Sequence, residues 1–189
     1  MAQFTKQAII QTFIDLLNEQ PFDKITVTDI VTKCGVNRNT FYYYFQDIYA
    51  LVDELFRNET NQILDSDMDF AEWQDGFLKA TMFARQNMKA IYHLYNSINR
   101  DRLETYLYDV TSKSVSSFLQ NQAKGMNVPA DDIRDLTVLY TVALEGIVLE
   151  WLHEGMEQSP EDFIATMARL LDGSTTFILK RAAETANAR

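Results

Sequence analysis

Residues 26–51, TVTDIVTKCGVNRNTFYYYFQDIYAL, read as two short helices joined by a tight turn. Thr26 and Asp29 stand three apart, the spacing of a capping box, ahead of an apolar stripe at Val27, Ile30 and Val31. A helix is therefore predicted from Thr26 to about Cys34. Gly35 stops it, because glycine takes the left-handed conformation that lets a chain turn sharply, and Val36 just beyond is placed to fill the gap between the two helices. Asn37 is a good cap for a second helix from Arg38 to about Phe45, with Phe41 and Phe45 facing inward as an i and i+4 pair. A turn of about three residues between two such helices is the geometry of a helix-turn-helix.

The outward face of the second helix carries the functional signal. Arg38, Asn39, Thr40, Tyr42, Tyr43 and Tyr44 crowd about two turns with hydrogen-bonding side chains. Such a surface wants a polar partner, and double-stranded DNA supplies one. Arg pairs with guanine and Asn with adenine in the major groove, while Thr and Tyr hydroxyls reach phosphate oxygens. The plainer alternative is a surface helix whose tyrosines are half tucked against neighbouring helices.

Ile25-Thr26-Val27, Ile30, Gly35-Val36, Thr40-Phe41-Tyr42, Phe45 and Leu51 closely resemble the TetR/AcrR family of bacterial transcriptional regulators, over roughly the first fifty residues. The resemblance implies an all-α chain of about nine helices. Residues 1–48 would form a three-helix helix-turn-helix DNA-binding domain, and residues 49–189 a helical effector-binding and dimerisation domain. It carries Thr28, Asn37, Arg38, Asn39, Thr40 and Tyr42 over as DNA contacts, to which the polar face adds Tyr43 and Tyr44. It also implies a homodimer on a palindromic operator, most commonly as a repressor, modulated by a small-molecule effector. In one place the pattern departs: many members have a lysine three residues after the Phe equivalent to Phe45, and here stands Ile48. That removes a charged phosphate contact, although the helix start at Asp47 offers backbone N–H groups.

The chain has 189 residues, 47% of them apolar, enough to bury a core, and a net charge of −10. Such a charge is repelled by nucleic acid on average. Its distribution answers part of this, since residues 1–48 hold Lys6, Lys24, Lys33 and Arg38 against Asp15, Glu19, Asp23, Asp29 and Asp47. A nearly neutral head implies few charge-neutralising phosphate contacts. Cys34 is the only cysteine, which excludes an internal disulfide and suits a reducing cytoplasm, with the thiol as filler in the motif's small core. The N-terminal sequence alternates at helical spacing through Ile9, Phe13 and Leu17 and lacks the apolar run of a signal peptide. No stretch is expected to approach the roughly twenty apolar residues of a membrane span.

Beyond the motif the pattern is helical throughout. Asp47 caps a helix to about Leu64, and DSDMD supplies a break. Helices follow over 70–87, 88–98 and 102–122, then a loop at Gly125 and Pro129, then helices over 130–154 and 159–186, the last opened by Ser159, Pro160 and Glu161. The last two carry wide apolar arcs. Leu139, Ala143 and Ile147 on one, with Phe163, Met167, Leu170 and Phe177 on the other, suit a two-fold four-helix bundle between subunits. The sequence GIVLEWLHEGMEQSPEDF resembles the C-terminal domain of a Firmicutes subgroup that includes regulators of dihydroxyacetone kinase operons. In the middle helices Phe77, Phe83, Tyr92, Tyr95, Tyr106 and Trp151 are candidates to line an effector pocket, within a wider aromatic and methionine set that includes Phe118.

An enzyme needs a nucleophile with its base, paired carboxylates or metal ligands. With two histidines far apart in sequence, one cysteine and no HExxH, GxSxG or P-loop spacing, neither catalysis nor a metal or other cofactor is expected. The competing reading is a helical co-regulator whose motif has lost DNA affinity and which acts through another protein.

Overall fold

The computed structural model describes residues 2–64, 73–97, 100–171 and 173–187. Among these residues there are ten α-helices, one 3₁₀ turn and no strand. The breaks expected at 65–69 and the helix ends expected at 70 and 98 lie outside the described residues. Contacts group the chain into two compact units, Met1–Gln62 with Phe83–Thr105 and Ile63–Met82 with Tyr106–Arg189.

The first unit is built on α1 (Ala2–Glu19), whose inward positions Ile9, Phe13, Leu16 and Leu17 are buried at helical spacing. Pro21 then leads into a 3₁₀ turn, Phe22–Lys24, which the apolar pattern does not announce. Its single buried residue, Phe22, meets Phe13 edge-on at 6.2 Å and Tyr49 at 5.8 Å between ring centroids. Helices α2 (Val27–Cys34) and α3 (Arg38–Tyr44) follow, then α4 (Ile48–Leu64), whose Leu51 and Val52 are fully buried. The backbone N–H of Ala50 donates to Asp47 Oδ1 at 2.8 Å, as a cap at Asp47 requires. After α5 (Trp73–Gln86), helix α6 (Met88–Tyr95) packs on α1 and buries Ala90, Ile91, Leu94 and Tyr95. Lys6 of α1 pairs with Glu54 of α4 at 2.6 Å.

The second unit contains most of α7 (Arg100–Gln122), then α8 (Ala130–His153), α9 (Pro160–Leu171) and α10 (Ser174–Asn187). Trp151 stacks on Phe163 at 5.3 Å, and its indole N–H donates to the Gln158 carbonyl at 3.0 Å. The turn between α8 and α9 takes Gly155 to φ 75° and Met156 to φ 57°, with the Met156 side chain fully buried. Ser159 then caps α9, accepting from the Asp162 N–H at 3.1 Å.

Two expectations need correction. The single helix expected over 159–186 is two helices, because the backbone at Gly173 adopts φ 71° and so cannot continue α9; the Ser174 hydroxyl donates to the Leu171 carbonyl freed there. This division makes the tenth helix. Helix α8 is also the one described helix long and apolar enough to cross a membrane by length and composition, with mean hydropathy 1.3 over its best window. Its Thr141, Leu144, Val148, Trp151 and Leu152 are buried, while Val138, Leu139 and Val142 are exposed.

Candidate nucleic-acid interface

The local chemistry of residues 26–45 explains how the outward face of α3 is built. Thr26 has an extended backbone, and its side-chain oxygen accepts from the Asp29 N–H at 3.3 Å. Asp29 Oδ2 answers by accepting from the Thr26 N–H at 2.8 Å and the Thr26 hydroxyl at 2.6 Å. These bonds, the hydroxyl's first and the backbone's second, hold the Asp29 carboxyl below its ordinary range. At the other end Gly35 sits at φ 73°, and both its N–H and that of Val36 donate to the Val31 carbonyl. Asn37 caps α3 through Oδ1, which accepts from the Thr40 N–H at 2.8 Å and the Thr40 hydroxyl at 3.1 Å. Phe41 and Phe45 are buried with ring centroids 5.7 Å apart, fixing which side of α3 points outward.

On that side the structure brings most of the expected residues together. Thr28, Asn37, Arg38, Asn39, Tyr42 and Tyr43 are exposed, Tyr42 at 54% and Tyr43 at 78%; Thr40 and Tyr44 are half-buried. The Arg38 guanidinium donates to the Thr28 hydroxyl, a bond between the first turns of α2 and α3 that spacing alone does not reveal. The Asn37 oxygen and the Thr40 hydroxyl are engaged with each other, so both residues serve the helix start. Tyr42 lies edge-on to buried Phe41 at 5.5 Å, and Tyr43 edge-on to Tyr44 at 4.9 Å, which orients two large exposed side chains. Cys34 is half-buried, and so is Ile48.

Two of the four cations in residues 1–48 are tied to carboxylates: Lys6 to Glu54 and Lys33 to Glu19, each at 2.6 Å. Further ties within the unit involve Arg102, which donates to Asp53 and lies 5.4 Å over the Tyr49 ring.

The six expected effector-pocket residues are divided between the units: Phe83, Tyr92 and Tyr95 in the first, Phe77, Tyr106 and Trp151 in the second. Tyr92 is exposed, Phe83 and Tyr106 are half-buried, and Phe77, Tyr95 and Trp151 are buried. Trp151 is occupied by its stack on Phe163. The second unit contains a cavity of about 20 Å³ lined by Val115, Phe118, Tyr140, Leu144, Leu171 and Thr175. None of the six lines it, whereas Phe118 of the wider set does. That volume holds about one water molecule.

Of the residues expected at a subunit interface, Leu139, Leu170 and Phe177 are 59%, 60% and 66% exposed, and Ala143 is exposed too. Val138 and Val142 extend this face on α8. Ile147 and Met167 are half-buried, and Phe163 is buried against Trp151.

A capped pair of helices across a glycine turn, with an Arg, an Asn and two tyrosines facing outward, defines a helix-turn-helix protein. Residues 9–55 match the family model described as bacterial regulatory proteins, tetR family, and residues 71–173 match the one described as transcriptional regulator C-terminal region. The chain belongs to the TetR family of transcriptional regulators; it is not an enzyme.

Among curated proteins it is similar to the HTH-type dhaKLM operon transcriptional activator DhaS of Lactococcus lactis subsp. lactis (strain IL1403), 29% identical over 83 residues, 44% of each chain. It is also similar to the HTH-type transcriptional regulator YxbF of Bacillus subtilis (strain 168), 25% identical over 177 residues, 89% of this chain and 44% of that one. The chain spans less than half the length of the curated relatives it matches. A solved structure titled dihydroxyacetone kinase operon activator DhaS shares its fold at TM-score 0.79 and 20% identity, over 92% of this chain and 97% of that one.

Proposed function

We propose that this transcriptional regulator binds a two-fold symmetric operator as a homodimer and represses the genes it controls. Residues 1–48 act as the DNA-binding domain and residues 49–189 as the dimerisation and effector-responsive part. Arg38 and Asn39 read base edges in the major groove; Thr28, Asn37, Thr40, Tyr42, Tyr43 and Tyr44 contact the backbone or hold those two in place. The observation that carries this reading is the Arg38 guanidinium held on the Thr28 hydroxyl beside exposed Asn39 and Tyr42. Subunits meet through the exposed apolar face of Leu139, Ala143, Leu170 and Phe177, with half-buried Ile147 and Met167 at its margin. A small-molecule effector changes operator affinity by binding one state of the helical part better than another. The protein acts in the cytoplasm, where its DNA lies.

One observation favours activation as a second reading: the relative in Lactococcus lactis and the solved structure of similar fold are both named as operon activators. A reporter fused to the bound promoter separates the two by the sign of its change on deletion of the regulator.

The direct test is a gel shift on the DNA upstream of the chain's own gene. Arg38→Ala and Tyr42→Ala are each expected to weaken binding by about 1–3 kcal/mol. Undiminished affinity in both variants contradicts the interface. A wild-type chain that binds no duplex, yet captures a second regulator, leaves only the co-regulator reading.

A further inference from the structure

Two polar contacts outside the DNA-reading face join the end of α1 to the start of α6. The last carbonyls and first N–H groups of any helix lack partners within it. At the end of α1 the Leu17 carbonyl accepts from His93 Nδ1 of α6 at 2.7 Å. At the start of α6 the Ala90 N–H donates to Asn18 Oδ1 of α1 at 3.3 Å. Asn87, the residue in the cap position of α6, makes no side-chain cap; its amide donates back to the Phe83 carbonyl. Each helix thus supplies the terminal hydrogen bond that the other lacks.

The orientation of both side chains is determined. A carbonyl oxygen only accepts, so His93 Nδ1 carries the hydrogen. Asn18 Nδ2 donates to the Ile14 carbonyl at 3.0 Å, which turns its oxygen toward Ala90. Leu17, Ala90 and Leu94 are buried around the joint, where hydrogen bonds are poorly replaced by water. Both side chains are half-buried, and neither is on α2 or α3.

From this geometry we infer that Asn18 and His93 are positioning residues, which lock α1 onto α6 and so set the direction in which the helix-turn-helix packed on α1 presents Arg38 and Tyr42. The inference rests on the DNA-binding reading above. It carries a specific consequence. The surface of α3 does not depend on the joint, so one head on one half-site is indifferent to it. Two heads on a single two-fold site, held at one separation, are not.

The test uses the full chain with His93→Ala, His93→Asn, His93→Gln or Asn18→Leu. The probes are a two-fold site selected by the wild-type chain from random duplexes, and that site's isolated half. His93→Ala and Asn18→Leu are expected to weaken full-site binding about tenfold, the scale of one well-placed hydrogen bond, and to leave the half-site within about twofold. The amide nitrogen of Asn lies as many bonds from the backbone as Nδ1 of His, so His93→Asn is expected to restore full-site affinity. His93→Gln, one bond longer, is not. Equal losses on both probes, or an unchanged full-site affinity in His93→Ala and Asn18→Leu, overturn the inference. If the wild-type chain selects no duplex, the DNA-binding reading fails separately, and the joint is judged on amide hydrogen exchange at Ala90. Faster exchange there in Asn18→Leu supports the joint, and unchanged exchange refutes it.

Discussion

In the proposed interface Arg38 meets a base with a long side chain whose freedom is then lost, and a side chain already held loses less on binding. The Thr28 hydroxyl does this holding before any partner arrives. Asp29 has a different task, since it fixes the start of α2 and its charge is part of the bond. Hydrogen bonds from the Thr26 side chain and then its backbone hold its carboxyl below the ordinary 3.8, with desolvation acting slightly the other way. A carboxyl depressed in the folded state contributes stability that is complete above its unfolded value and disappears as pH falls through its folded one. Asp29→Asn is therefore expected to melt below the wild type at neutral pH, with the difference shrinking well below pH 3.8. Thermal melts at the two pH values check this; a gap that widens in acid contradicts it.

At the scale of elements, the turn between α2 and α3 depends on one backbone conformation. A Cβ added at Gly35 meets no atom within 4 Å, so the cost of Gly35→Ala is confined to its φ of 73°. About 1–2 kcal/mol of stability is expected to go, seen as a lower denaturant midpoint at unchanged slope. The elements around this turn were legible because their signals are local: Thr26, Asp29, Gly35 and Asn37 cap chain only a few residues away. Other features were not. The apolar spacing of Phe163, Met167, Leu170, Leu171, Phe177 and Ile178 runs on past Gly173, and glycine is tolerated inside a helix at modest cost, so periodicity argued for one helix where the backbone makes two. Phe22 owes its burial to Phe13 and Tyr49, contacts that exist only once α1 and α4 have met. Trp151, a pocket candidate by its aromatic character, stacks instead on Phe163, a ring that its sequence spacing does not name. Within the tyrosine run, spacing alone does not separate half-buried Tyr44, whose ring centroid lies 6.4 Å from that of buried Phe45, from exposed Tyr42 and Tyr43.

For the molecule as a whole, a net charge of −10 and the pairing of Lys6 and Lys33 with Glu54 and Glu19 leave few cations for phosphates. Operator affinity is expected to fall with salt along a log–log line much shallower than about −10, the slope of a reader with many phosphate contacts. A titration of binding against potassium chloride measures it. The apolar face of α8, α9 and α10 has a further consequence. In the proposed homodimer, a subunit that leaves Leu139, Val142, Leu170 and Phe177 in water by itself gains stability from its mate, and that gain follows mass action. The melting temperature is expected to climb as the protein is concentrated, and Leu139→Asp to flatten the climb. Heat tolerance in that dimer then becomes a matter of copy number, since subunits too scarce to meet forgo the stability their contact adds.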